Sequence, residues 1–112
     1  MPQYLIQTAY TSEAVQSLVK SQQNRADVVR AAVEHMGGKL IGSWASFGDF
    51  DSVVVVDMPS NIDAAAIALA VQAGGSCKTV KTTPLLSSAE AIEALKRAAG
   101  SAYRPVAAAA AR

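Results

Sequence analysis

Residues 53–56 are four consecutive valines, flanked by Asp51-Ser52 on one side and by Asp57-Met58-Pro59 on the other. A strand with one face in water alternates apolar and polar residues, so an unbroken valine run predicts a strand that is buried on both faces. The preceding segment, Lys39–Phe47, also has the pattern of a strand, and the Gly48-Asp49 turn between them predicts a hairpin. The fold must therefore cover both faces of a sheet.

Helical and extended segments alternate along the rest of the chain. The predicted segments are a strand over Tyr4–Thr8, a helix capped at Thr11 that restarts at Asn24 and stops at Gly37-Gly38, the two hairpin strands, a helix from Ser60 or Asn61 to Ala73, a strand over Ser76–Thr83, and a short helix after Ser87 or Ser88. This order, β-α-β-β-α-β with an added C-terminal helix, is that of an α+β, ferredoxin-like split βαβ fold with a four-stranded antiparallel sheet.

Two helices can cover only one face of such a sheet, yet its strands carry apolar side chains on both faces. Val53 and Val55 oppose Val54 and Val56, and strict alternation along Lys39–Phe47 places Leu40 and Trp44 on one face and Ile41 and Phe47 on the other. Of Trp44 and Phe47, one should therefore face the helices and the other a partner. A second copy of the chain is the simplest cover for the open face, so a homodimer or higher homo-oligomer is predicted.

Composition excludes several classes of protein. The chain has 112 residues and a net charge of +1, with no cluster of basic residues and interleaved aromatics, so neither several domains nor a nucleic-acid partner is expected. It has no run of 18 apolar residues, and its first ten residues do not resemble a signal peptide, so a cytoplasmic protein with no membrane partner is predicted.

Single copies of cysteine and histidine, Cys77 and His35, argue against a disulfide framework or a metal site within one chain, and no cofactor is predicted. Residues 1–100 are interpreted as the domain. Residues 101–112 form an alanine-rich tail, expected to be mobile, although polyalanine is also a good helix former.

The hairpin residues resemble a known family. Gly37-Gly38-Lys39-Leu40, then Trp44, then Phe47-Gly48-Asp49-Phe50-Asp51 and Asp57-Met58-Pro59 are similar to the pattern of the GYD domain family, over roughly residues 3–90. Arg25 stands where that family commonly has an arginine, and Phe50 replaces the tyrosine of its motif, so any role of that hydroxyl is lost while a packing role remains.

The resemblance implies a dimeric α+β barrel, in which two subunits pack sheet to sheet and leave a cleft between each sheet and its helices. That superfamily includes small monooxygenases, haem-degrading enzymes, isomerases and non-catalytic proteins. The GYD family brings no established activity, and the fold does not choose among these functions.

Five residues are candidates for binding a ligand in such a cleft: Tyr4, Thr8, His35, Trp44 and Asp51. Each also has a structural interpretation. The motif Gly48–Asp51 is typical of a strand-connecting turn, His35 of a helix C-terminus, and Trp44 of core packing. Tyr4 and Thr8 share one face of the first strand. No catalytic residue is assigned.

Three further residues are interpreted structurally. Lys78 and Lys81 lie on the fourth strand and are taken as protection of a sheet edge; on a central strand either could bind an anion in the cleft. Cys77 is taken as a small buried residue.

Three functions fit these observations. The first is a homodimer that binds a small molecule between sheet and helices without an assigned reaction. The second is a cofactor-independent monooxygenase-like or haem-binding enzyme, with His35 as the haem ligand. The third is a non-catalytic assembly or regulatory module.

Overall fold

A computed structural model describes residues 1–106 and contains four strands and four helices. The elements are β1 Gln3–Tyr10, α1 Ser12–Lys20, α2 Arg25–His35, β2 Lys39–Ala45, β3 Ser52–Asp57, α3 Asn61–Ala73, β4 Cys77–Leu85 and α4 Ser88–Ala99. The ferredoxin-like order β-α-β-β-α-β with an added helix is confirmed, and so is the interruption of the first helix at residues 21–24. The alanines of the predicted tail, from residue 107 onward, lie outside the described residues.

The four strands form one sheet in the order β2-β3-β1-β4, and every neighbouring pair is antiparallel. β4 is therefore an edge strand, as its two lysines predicted. It runs on through Pro84 to Leu85, beyond the predicted end at Thr83. An edge strand tolerates this proline because only one of its sides must supply ladder hydrogen bonds.

The core lies between one face of the sheet and helices α2 and α3. Alternate residues of β1 and β3 point into it, and each helix adds apolar side chains between them. The buried cluster consists of Tyr4, Ile6, Val33, Val54, Val56, Met58, Ala64 and Ile67. The other two valines of the run, Val53 and Val55, are only half-buried on the opposite face. A single chain thus covers one side of its valine strand fully and the other in part.

A bulge in β2 changes which of its residues share a face. The register shifts between Leu40, opposite Val56, and Gly42, opposite Val55. Leu40 therefore packs against the core, whereas Trp44 lies opposite Val53 on the open face of the sheet. The prediction that Leu40 and Trp44 share a face was wrong, because one extra residue in a strand inverts the alternation beyond it.

Phe47 does not belong to the strand. β2 ends at Ala45 because the turn closes early: the Ser46 N–H donates to the Asp51 carbonyl (3.0 Å), and Ser46 Oγ donates to that of Phe50 (2.8 Å). Phe47 is 99% exposed in this turn, and the expectation that either Phe47 or Trp44 would face the helices was wrong.

Helix α4 begins with a capping box, in which Ser87 and Glu90 each accept a hydrogen bond from the other's backbone N–H. Apart from the half-buried Ala91, all its residues are exposed, including Ile92 and Leu95 on the apolar side. Among residues 1–106, no helix combines the length and the hydropathy that crossing a bilayer requires.

Candidate ligand-binding cleft

A cavity of about 140 Å³ lies between the helix-facing side of the sheet and helices α2 and α3. One end of it is apolar. That end is lined by Ile6, Val29, Val33, Val54, Ile67 and Val71. An apolar cavity of this size can hold a molecule about as large as benzene.

The other end of this inner cavity is polar because of strand register. Thr8 of β1 lies directly opposite Ser52 of β3, and two residues further along β1 Tyr10 lies opposite Cys77 of β4. Ser43 of β2, which lies opposite Val54 of β3, adds a further hydroxyl on the helix-facing side of the sheet. Thr8 is 8% exposed and is the buried polar residue of the core face. The cavity is thus amphipathic along its length.

An outer cleft of about 390 Å³ continues the cavity toward solvent. The two volumes adjoin, because the same residues line both: Tyr10, Arg25, Ala26, Ser43 and Ser52. The outer cleft adds polar side chains from the segment between α1 and α2 and the carboxylate of Asp51. A molecule entering from solvent therefore passes polar groups before it reaches the apolar end.

Asp51 is held in place by two backbone hydrogen bonds. Its Oδ2 accepts from the Tyr10 N–H at 2.8 Å, and its own N–H donates to the Thr8 carbonyl at 2.7 Å. The turn before it is made possible by Gly48, whose φ of +120° suits glycine alone. This geometry ties the end of β1 to the wall of the outer cleft.

Arg25 stands where the inner cavity and outer cleft meet. It is the first residue of α2, half-buried, and its Nη1 donates to Gln23 Oε1 at 3.0 Å. Within residues 1–106 the salt bridges are Arg30–Asp27 and Arg97–Glu93, so Arg25 has no carboxylate partner there. Its guanidinium is the charged group among the described side chains that line the inner cavity.

Burial raises the pKa of the Cys77 thiol, and this effect prevails over the hydrogen bond to Thr8 and the charge of Arg25, which lower it; Asp51 raises it further. The thiol is therefore protonated near neutral pH and is a poor nucleophile. Thr8 and Arg25 line the same cavity as this thiol, and Asp51 lines the adjoining outer cleft.

The structure brings three of the five predicted site residues to the cleft. Thr8 lines the inner cavity and Asp51 the outer cleft. Trp44 borders the outer cleft, but its ring lies across Gly42 on the open face, where a Cβ on that glycine would clash with the ring.

The other two predicted residues lie elsewhere. Tyr4 is buried in the core, and its hydroxyl donates to Asn61 Oδ1 at the start of α3. His35 is exposed at the end of α2 and is not among the lining residues.

Several lining residues were not among the predicted set: Tyr10, Arg25, Ser43, Ser52 and Cys77. For Arg25 a signal existed in its position within the family pattern. For the two serines no local signal exists, because their convergence depends on the register of three strands. Among residues 1–106, no three acidic, histidine or cysteine side chains lie close enough together to hold a metal ion.

The family profile of the GYD domain matches residues 4–95, most of the chain. The protein belongs to the GYD domain family. Phe50, at the position of the motif tyrosine, is half-buried, and its carbonyl accepts the hydrogen bond from Ser46 that closes the turn. No curated protein sequence matches this GYD domain significantly.

Solved structures share the fold of this GYD domain at low sequence identity. MtbAldR matches at 12% identity and a TM-score of 0.52, over 77% of this chain and 52% of its own. Hypothetical protein PHS023 from Pyrococcus horikoshii matches at 11% identity and a TM-score of 0.50, over 78% and 92%. FFRP-DM1 matches at 11% identity and a TM-score of 0.49, over 77% and 100%. This GYD domain spans about half of MtbAldR, and the likenesses to MtbAldR and PHS023 establish the ferredoxin-like fold alone.

Proposed function

We propose that this GYD domain binds a small, largely apolar molecule in the cleft between its sheet and helices α2 and α3. The observation that carries the proposal is the amphipathic inner cavity, with a valine- and isoleucine-lined end and a polar end that opens to the outer cleft. Ligand sites in proteins combine an apolar wall with a few convergent polar groups in this way. The raised pKa of Cys77 favours binding over nucleophilic catalysis, because the thiolate is scarce at neutral pH.

The binding proposal can be tested by filling the cavity. Ala26 lies on α2 and lines both volumes, so Ala26→Phe should occupy the passage between them. We expect toluene to shift the amide resonances of β1, α2 and α3 in the original protein and to lose most of this effect in the variant. Ala31→Phe, an exposed position on the same helix, is the matched control and should bind toluene unchanged. Toluene shifts that survive Ala26→Phe would place binding outside the cavity.

The proposal includes assembly of two copies through the open face of the sheet. Leu5, Val53 and Val55 are half-buried there, and Trp44 is 58% exposed. Four strands of six to nine residues, about 4.8 Å apart, present roughly 500 Å². A stable interface buries about 800 Å² on each partner, so the sheet alone is too small. Helix α4, with Ile92 and Leu95 exposed, offers the additional apolar surface.

Two exposed aromatics in the same hairpin allow a matched test of this assembly. Trp44 lies on the open face, whereas Phe47 lies beyond the strand and on neither face. We expect Trp44→Glu to weaken self-association at least about tenfold, since it places a charge in an apolar interface, and Phe47→Glu to leave it unchanged. Sedimentation equilibrium gives both constants. The proposed assembly would be contradicted if the unsubstituted protein is a monomer, or if Trp44→Glu and Phe47→Glu have equal effects.

The proposal also places the protein in the cytoplasm. A single cysteine such as Cys77 remains a thiol in that reducing compartment.

A further inference from the structure

The inner cavity has a chemical preference that follows from the charge of Arg25. Among residues 1–106, fifteen line this cavity, and the other fourteen are uncharged. Asp51 lines only the outer cleft, so a molecule seated against the valines and isoleucines meets the guanidinium and not the carboxylate. At the polar end of the inner cavity the charge of Arg25 outweighs that of Asp51, since Arg25 lowers the pKa of Cys77 by more than Asp51 raises it.

Arg25 is available to bind an anion because its hydrogen-bond partner, Gln23, is neutral. The residue is half-buried, and its described hydrogen bond goes to the amide oxygen of Gln23 at 3.0 Å. A guanidinium that lines an apolar cavity gains more from an anionic partner than one in bulk water, because the local dielectric is lower. Arg25 on α2 and Cys77 on β4 line the same cavity, so the charge of Arg25 faces the thiol across it.

Hydroxyl groups beside Arg25 complete a set of donors. Thr8 and Ser52 lie opposite one another on neighbouring strands, and Ser43 lies on the next strand along. Ser43 and Ser52 both line the inner cavity, and a serine hydroxyl can rotate to donate to an oxygen atom there. One guanidinium with neutral hydroxyls matches a single planar negative charge better than a doubly charged phosphate.

We infer that the ligand of this GYD domain is a small apolar carboxylate, with its carboxylate on Arg25 and its apolar body between β1, β3, α2 and α3. This inference rests on the proposed binding function and names its ligand class. The apolar end limits the body to about one six-membered ring or a branched chain of similar size. Asp51, at the outer cleft, disfavours anions that extend into solvent and so favours a carboxylate seated within.

Three probes of similar size separate the charge of the ligand from its size: benzoate, benzamide and benzylamine. We expect benzoate to bind at least about tenfold more tightly than neutral benzamide, since a bidentate, charge-assisted pair replaces neutral hydrogen bonds. Arg25→Gln should remove most of the preference for benzoate over benzamide. Arg30→Gln, which removes an exposed arginine of the same helix, should alter neither. Titration followed by amide resonances measures all of these constants.

The outcomes distinguish this inference from the proposed function. If benzamide binds as tightly as benzoate, or benzylamine binds most tightly, the cavity is a binding site but the carboxylate class is wrong. Equal losses of benzoate binding in Arg25→Gln and Arg30→Gln would also overturn the inference, since the effect would then be one of net charge. If none of the three probes, and no toluene, perturbs the cavity resonances, both the binding function and its ligand class are overturned.

Discussion

At the scale of single residues, the thiol of Cys77 shows how the cleft environment acts on one group. Burial raises its pKa most, Thr8 and Arg25 lower it, Asp51 raises it, and the net pKa lies above the ordinary value. We therefore expect the rate of alkylation by iodoacetamide to rise at a higher pH in the folded protein than in the urea-unfolded chain. Thr8→Val removes the hydrogen bond that lowers the pKa of the Cys77 thiol, so the rise in alkylation rate should move to a still higher pH. Mass spectrometry over pH 7–10 measures both.

The same shift has a consequence for stability. The folded state holds the thiol proton more tightly than the unfolded state, so this group stabilises the fold below its ordinary pKa. That contribution is lost as the pH rises through the higher, folded-state pKa. Alkylation of the folded protein that rises at a pH equal to or below that of the unfolded chain would contradict this account of Cys77.

Gly38 is required by close packing. A Cβ there would lie 2.5 Å from the Asp57 carbonyl oxygen and 2.6 Å from Met58 Sδ, at the centre of the core. Backbone cannot move aside cheaply, so we expect Gly38→Ala to lower the free energy of unfolding by about 2 kcal/mol. Gly74→Ala is the control: its φ is −66°, its Cβ would lie 3.4 Å from the nearest atom, and its effect should stay within about 0.5 kcal/mol. Urea unfolding at fixed protein concentration compares the two, and similar losses would contradict the packing argument.

At the scale of elements, the hydrogen bond from Tyr4 to Asn61 links β1 to the start of α3. Tyr4 was a candidate for ligand binding from sequence, and its position suggests a structural task. We expect Tyr4→Phe to destabilise the fold by about 1 kcal/mol and to leave toluene and benzoate binding unchanged. A double-mutant cycle with Asn61→Ala should give a coupling energy of similar size. If Tyr4→Phe loses binding of toluene or benzoate but keeps its stability, Tyr4 contacts the ligand and the structural interpretation is wrong.

The elements themselves could be predicted because their signals are local. Thr11, Asn24, Ser60 and Ser87 each cap a helix by accepting a hydrogen bond from a backbone N–H two or three residues on. Gly37 ends α2 with a φ of +83°. Such interactions join residues close in sequence, so a single chain read in order reveals them.

The bulge in β2 and the cleft could not be predicted, because both depend on pairing between distant segments. The sequence Leu40-Ile41-Gly42 gives no sign of an extra residue between the positions opposite Val56 and Val55. Because strict alternation was expected from the sequence, Trp44 was placed on the wrong face of the sheet. Thr8, Ser52 and Cys77 are far apart in sequence and meet only through the order β3-β1-β4. The position of Arg25 at the polar end of the cavity becomes evident only when the fold places these three residues beneath α2.

At the scale of the whole molecule, two of the apolar surfaces that residues 1–106 form remain uncovered. One is the open sheet face around Val53 and Val55, and the other is the apolar side of α4, from Ala91 through Ile92 to Leu95. A domain of this size buries only about two-thirds of its surface, and a partner that covers both would add burial without a larger chain. The assembly proposed above therefore predicts that α4 contributes to self-association although it adds little to the core of its own chain.

Two substitutions on opposite sides of α4 test that prediction with the same change of charge. Leu95 is 69% exposed on the apolar side, whereas Arg97 lies on the polar side in an exposed salt bridge with Glu93. We expect Leu95→Glu to shift the protein toward monomer in sedimentation equilibrium, because it places a carboxylate in the interface. Arg97→Gln should not, since an exposed salt bridge contributes about 1 kcal/mol at most and lies outside the interface. If both variants dissociate equally, net charge governs association, and if neither does, α4 faces solvent in the assembly as well.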